Sequence, residues 1–133
     1  MAGMHSRPTD VELRILDIFW DGGPSTVRQV HNAILKTPDR KDTAYSTTLK
    51  MIQVLHSKGL LDRDESVRPQ VYHATVTREH TQRHYIRDVA QRLFGGAMSE
   101  IVQCAIASGE VSAEELTEMQ RLIRKAKKEG QQK

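Results

Sequence analysis

The hydrophobic period of this chain changes once and abruptly, at Gly59. Before it, apolar residues recur at helical spacing in three stretches; directly after it, two short stretches alternate at period two; from Thr77 the helical period returns. Thr9 with Glu12 three residues on forms a capping box that predicts Thr9 as an N-cap. Val11, Ile15, Ile18 and Phe19 follow as a stripe widened by Leu13, Leu16 and Trp20, and Asp21-Gly22-Gly23-Pro24 stops the helix. Ser25 or Thr26 opens a second helix, from Val27 to about Lys36, with Val27, Val30, Ile34 and Leu35 inward. A polar loop, 37–42, is broken by Pro38. The third helix starts at Thr43 or Ala44 and ends at Lys58, with Gly59 as its C′ glycine. Tyr45, Leu49, Ile52 and Leu55 form its inner face, with Met51 alongside; Ser46, Lys50, Gln53 and Ser57 lie opposite.

Leu60–Arg63 and Gln70–Thr75 then read as two strands around a polar tip, 64–69. Three helices and a hairpin, in that order, make a winged helix-turn-helix; a helical bundle would have no use for the hairpin. Beyond it, Ile86, Val89, Ala90 and Leu93 form a stripe that ends at Phe94-Gly95-Gly96. Met98, Ile101, Val102, Ala105 and Ile106 mark a short helix that stops at Ser108-Gly109. Ser112 and Glu115 form a capping box opening a last helix, with Leu116, Met119, Leu122, Ile123 and Ala126 inward. Its late Arg121, Arg124, Lys125, Lys127 and Lys128 suit the negative end of the helix dipole. A unit of roughly 57 residues buries too little surface to be secure alone. The expected organisation is therefore mainly α with a small β-hairpin. A winged helix-turn-helix domain at 1–76 is followed by a three-helix dimerisation domain at 77–133, paired through Ile86, Val89, Leu93, Ile101, Val102, Leu116, Met119, Leu122 and Ile123.

Composition narrows the function by exclusion. Among 133 residues the net charge is only +3, and it is nearly balanced in both halves, so bulk charge does not argue for nucleic acid. The lone Cys104 excludes an internal disulfide and any multi-cysteine zinc motif, and a reducing cytoplasm is the expected compartment. No apolar run approaches the roughly 18 residues of a membrane span, and the polar start predicts no export signal. Nucleophile elbow, phosphate-binding glycine loop and HExxH helix are all missing from the sequence, so neither enzymatic activity nor a cofactor is expected. His80 and His84 stand at i, i+4 without an evident third ligand, and a solvated face is the preferred reading over metal. Cys104 reads as a small buried hydrophobe.

The third helix carries the most chemistry. Thr43-Ala44-Tyr45-Ser46-Thr47-Thr48 places small hydroxyls at a helix N-terminus, where they can approach phosphates and base edges closely and the helix dipole attracts anions. Lys50 and Gln53 follow on the same face. An ordinary solvated face would look similar; the hairpin, whose Arg63 and Arg68 would flank the helix on DNA, favours a reading surface.

Together these stretches resemble the BlaI/MecI (penicillinase repressor) family of bacterial transcription regulators. The likeness is carried by Thr9, Glu12 and Leu16 to Trp20, by Gly23-Pro24 with Thr26-Val27-Arg28 and Val30-His31, and by Ala44-Tyr45-Ser46-Thr47-Thr48-Leu49. Met51, Gln53, Lys58-Gly59-Leu60, Tyr72, Leu93-Phe94-Gly95-Gly96 and the Leu116–Leu122 helix extend it over nearly the whole chain. It implies a cytoplasmic homodimeric repressor on an inverted-repeat operator, with the third helix as recognition helix. Ser46, Thr47, Thr48 and Lys50 would then meet bases or phosphates, Tyr45 and Arg28 the backbone, and Arg63 or Arg68 the wing's contacts. It also implies a membrane sensor-protease pathway as a partner, without membrane insertion of this chain. Thr48 stands where the family usually has an aliphatic residue and Lys50 where it often has threonine. The Asn-Phe bond cleaved in β-lactam-responsive members corresponds to Cys104-Ala105 here, and the paired C-terminal cysteines of copper-responsive members are missing. Two other readings compete: a winged-helix protein-interaction module without specific DNA binding, suggested by acidic Asp62, Asp64 and Glu65 around the wing, and a ligand-responsive repressor with a pocket between its dimer helices.

Overall fold

The first helix forms because its start is closed on both sides. Thr9 Oγ1 accepts from the Glu12 amide at 3.2 Å, and Glu12 Oε1 accepts from the Thr9 amide at 2.9 Å, capping α1 (Asp10–Gly22). Thr26, rather than Ser25, makes the same reciprocal box with Gln29 and opens α2 (Val27–Leu35). Ser25 is instead half of a two-residue strand, β1 (Ser25–Thr26), and its hydroxyl donates to the Gly23 carbonyl. A single 3₁₀ turn (Pro38–Arg40) interrupts the polar loop, and α3 (Tyr45–Ser57) follows from an N-cap at Ala44. Gly59 adopts φ 80, the left-handed conformation that stops a helix here at little cost. The wing is β2 (Leu61–Asp64) and β3 (Val71–Ala74).

The computed structural model describes residues 8–131; the polar start of the chain at 1–7 and residues 132–133 lie outside them. The strands form one antiparallel sheet in the order β1-β3-β2, with Arg63 opposite Tyr72 and Ser25 opposite Tyr72 on the other edge. Periodicity could not reveal β1, because two residues carry no period. Helices and sheet share one core: Ile15, Leu16 and Phe19 from α1, Val30 and Ile34 from α2, Ile52 and Leu55 from α3, Leu60 and Leu61 at the start of the wing, and Tyr72. Trp20 Nε1 donates to the Val76 carbonyl at 2.8 Å, which ties the chain leaving the sheet back to α1.

α4 (Arg78–Leu93) continues from there. Arg78 in its first turn pairs with Asp21 at 2.7 Å and Asp17 at 3.3 Å. The chain divides into two compact units between Arg83 and His84, inside this helix. The second unit holds the end of α4, then α5 (Met98–Ala107) and α6 (Ala113–Gln131). Gly95 and Gly96 take positive φ, and the Gly96 amide reaches back to the Ala90 carbonyl at 2.7 Å to close α4. The predicted Ser112–Glu115 box caps α6. Among the described residues of this unit only Ala90 is buried. No helix of the described chain is long and apolar enough to cross a membrane.

One contact joins the start of α1 to the end of α3. Lys58 Nζ lies 2.8 Å from Glu12 Oε1 and 3.1 Å from Oε2, so the residue that caps α1 also receives the end of α3. Burial alone would raise the Glu12 carboxyl pKa, but the Lys58 ammonium and the Thr9 amide outweigh it and hold it below its ordinary value of 4.5. A lowered carboxylate stabilises the fold fully above the unfolded value and loses that contribution as pH falls through the folded one. Glu12→Gln is therefore expected to cost about 1–2 kcal/mol at pH 6 and progressively less as the pH falls below the ordinary carboxylate value towards 3. Urea midpoints at the two pH values measure this, and an equal loss at both would assign the effect to something other than the ion pair.

Candidate nucleic-acid interface

Successive residues of a helix turn by about 100°, so whatever α3 buries decides what it shows. It buries Thr48, Ile52 and Leu55, with Tyr45, Leu49 and Met51 half-buried at the flanks. Ser46, Thr47, Lys50, Gln53, Val54 and Ser57 are exposed. Of the hydroxyls expected to meet DNA, Ser46 and Thr47 are therefore on the open face and Thr48 is not. Thr48 is at 0% exposure, and its Oγ1 lies 2.8 Å from Nδ1 of buried His31 on α2. It stands one turn before Ile52 and two before Leu55, which puts it in line with the core stripe. It belongs to the packing of the helix-turn-helix and leaves the reading surface.

The start of α3 is built differently from the other helices of its unit. α1 and α2 each have a hydroxyl and a carboxylate or amide side chain folded over their first turn, whereas Ala44 makes no side-chain cap. The first N–H groups of α3 thus lack an internal cap, and a phosphate is a natural partner for such a terminus. Tyr45 sits beside it. The Arg28 guanidinium lies over the Tyr45 ring, 4.2 Å from its centroid, and His31 meets the same ring in a T-shaped contact at 5.3 Å.

The wing's two arginines serve different purposes. Arg63 is half-buried, 3.1 Å from Glu65, and the Tyr72 hydroxyl beside it, ahead of the Glu65 charge, raises the Arg63 pKa above its ordinary value. Arg68 is exposed, and its Nη1 donates to the Glu65 carbonyl at 2.9 Å and the Val67 carbonyl at 3.3 Å, closing the wing tip. Arg28, Tyr45, Gln53, Arg63, Gln70 and Tyr72 line a shallow concavity of about 240 Å³. It joins α2, α3 and the wing in one surface. A larger hollow of about 470 Å³, floored by Val11, Ile15, Ile18, Ile34 and Met51, shares none of these residues, and the 2.8 Å Arg14–Asp39 pair lies on its rim.

Residues 8–125 match the family model described as penicillinase repressor. The chain belongs to the penicillinase repressor family. No curated protein matches it as a relative. Membership of this family makes the chain a DNA-binding transcriptional regulator of the repressor type, in a family that is regulatory rather than enzymatic.

In this repressor the residues expected to pair two copies lie in the second unit. Ile86, Leu93, Val102, Leu116, Leu122 and Ile123 are exposed, Leu93 to 75%, while Val89, Ile101 and Met119 are half-buried. Cys104 is exposed, contrary to the expectation of a buried small hydrophobe, because α5 has no buried residue at all. Cys104 and Ala105 both lie inside that helix. His80 and His84 are both exposed on α4.

Reasoning from sequence missed His31 as a structural partner and Glu12–Lys58 as a long-range pair. The first left a trace, since Arg28 and His31 are one turn apart on α2 and Tyr45 and Thr48 one turn apart on α3; the second left none. Because Arg68 closes the wing tip through carbonyls on the surface, Arg68→Ala should speed amide hydrogen exchange at 65–67. It should leave the stability within about 0.5 kcal/mol of the native value, which a paired exchange and urea-unfolding measurement would read.

Proposed function

We propose that this member of the penicillinase repressor family works as a homodimer on an inverted-repeat operator, with α3 of each copy in the major groove and each wing on the flanking backbone. The observation that carries the reading is the open face of α3. Its uncapped start, Ser46, Thr47, Lys50 and Gln53 lie on one side, with Arg28 and Tyr45 from the helix-turn-helix beside them. Hydroxyls and an amide suit close contact with base edges and phosphates, and the few cations suit a protein whose affinity rests on groove contacts more than on bulk charge. Pairing through the second unit supplies the second half-site, and exposed Ile86, Leu93, Leu116, Leu122 and Ile123 are the surface it would cover.

Lys50→Ala should weaken binding to an enriched operator duplex and reduce the salt slope of log K by about one unit per half-site. Fluorescence anisotropy titrations between low and moderate salt would read both. An unchanged slope would remove Lys50 from the phosphate contacts.

A protein-interaction module is the second reading, favoured by exposed Asp62, Asp64 and Glu65 at the wing. It predicts that alanine at Thr47 and Lys50 leaves promoter occupancy unchanged, whereas the repressor reading predicts its loss.

The pairing has its own test. A charge in the centre of the last apolar stripe, Leu122→Glu, should turn the dimer into a monomer in sedimentation velocity and sharply weaken operator binding, because each half-site then binds alone. A variant that stays dimeric would place the interface elsewhere.

A further inference from the structure

The helix-turn-helix contains a polar contact that filling its core does not require. His31 is 6% exposed and Thr48 is wholly buried, and their side chains meet at 2.8 Å between α2 and α3. Two aliphatic side chains would occupy such a site without desolvating an imidazole and a hydroxyl. What the polar pair adds is direction, since a hydrogen bond constrains rotation and sliding where apolar contact tolerates both. Its position makes that constraint useful. Arg28 and His31 are one turn apart on α2, Tyr45 and Thr48 one turn apart on α3, and the four side chains interleave. Imidazole meets hydroxyl in the interior; next outward, the His31 and Tyr45 rings meet in a T-shaped contact at 5.3 Å and 70°, and the exposed Arg28 guanidinium covers the Tyr45 ring at 4.2 Å.

We propose that His31 is a positioning residue for DNA recognition. Its bond to Thr48 locks the rotation of α3 against α2, and its T-shaped contact holds the Tyr45 ring on which Arg28 rests. The hydroxyl-bearing face of α3 is thereby presented in one orientation. This rests on α3 being the recognition helix. The bond also couples positions 31 and 48: an aliphatic residue at 48 would leave the His31 Nδ1 without this partner.

The test uses the full-length chain, a duplex enriched from a random-sequence library by the native protein, and a scrambled duplex of equal length. Thr48→Val removes the hydroxyl at nearly constant shape; Thr48→Ser keeps it. The double variant His31→Leu with Thr48→Val refills the site with apolar side chains, so a folded protein lacking the bond is available. Thr48→Val and the double variant should lose about tenfold in preference for the enriched over the scrambled duplex, and Thr48→Ser should recover most of it. Tyr45 ring resonances should move in Thr48→Val and return in Thr48→Ser. A merely structural pair would lower the melting temperature and leave the preference of the folded protein unchanged, and that result overturns the proposal, as do unmoved Tyr45 resonances. If the native protein enriches no duplex, the repressor reading falls and takes this proposal with it.

Discussion

The rotation of α3 about its own axis is the constraint on which the rest of this structure depends. A helix placed in a groove reads only what it turns outward, and an error of one residue moves every side chain by about 100°. Three contacts set that rotation here. Ile52 and Leu55 enter the core in the middle of the helix, Thr48 meets His31 near its start, and Lys58 reaches Glu12 at its end. The first is apolar and general, while the other two are polar and directional. The lysine contact also reuses the carboxylate that caps α1, so the start of the first helix and the end of the third are held by the same residue.

The charge pattern of the surface follows from the same economy. The wing's acidic residues are largely engaged with their neighbours: the Arg63 amide donates to Asp62, the Ser66 amide and hydroxyl to Asp64, and Glu65 faces Arg63. The Ser66 contacts lower the Asp64 carboxyl pKa, which keeps it ionised. Such local pairs set loop shape more than they set a long-range field, because exposed charges a Debye length away are screened. A net charge of +3 is therefore compatible with a DNA-binding surface whose recognition depends on where hydroxyls, an amide and a few cations are placed.

Much of the fold was legible because its signals are local. Thr9 with Glu12, Ser112 with Glu115 and the left-handed Gly59 each act within a few residues, and all three do what the sequence predicts. The hairpin appeared within a residue of its predicted bounds, and the change of period at Gly59 marked it. β1 was hidden because its pairing with Tyr72 and Val71 is long-range and only two residues long. Thr48 was misplaced for a related reason. A hydroxyl in an amphipathic helix reads as polar, and nothing local announces that a histidine on another helix will satisfy it. Cys104 was misplaced in the opposite direction, since an apolar-looking helix reads as buried whether or not something within the unit covers it.

Sequence alone determined the order of elements, their caps and stops, the apolar stripes and the candidate reading helix, because periodicity and capping are consequences of backbone geometry over one or two turns. Tertiary structure decided which of the adjacent hydroxyls faces outward, which wing arginine closes the tip, and that Glu12 would receive Lys58. Those outcomes depend on side chains brought together from distant positions, where burial leaves a polar group either matched or costly. His31 beside Thr48 is such a match, and it turns one of the three hydroxyls that sequence would have given to DNA into a part that aims the other two.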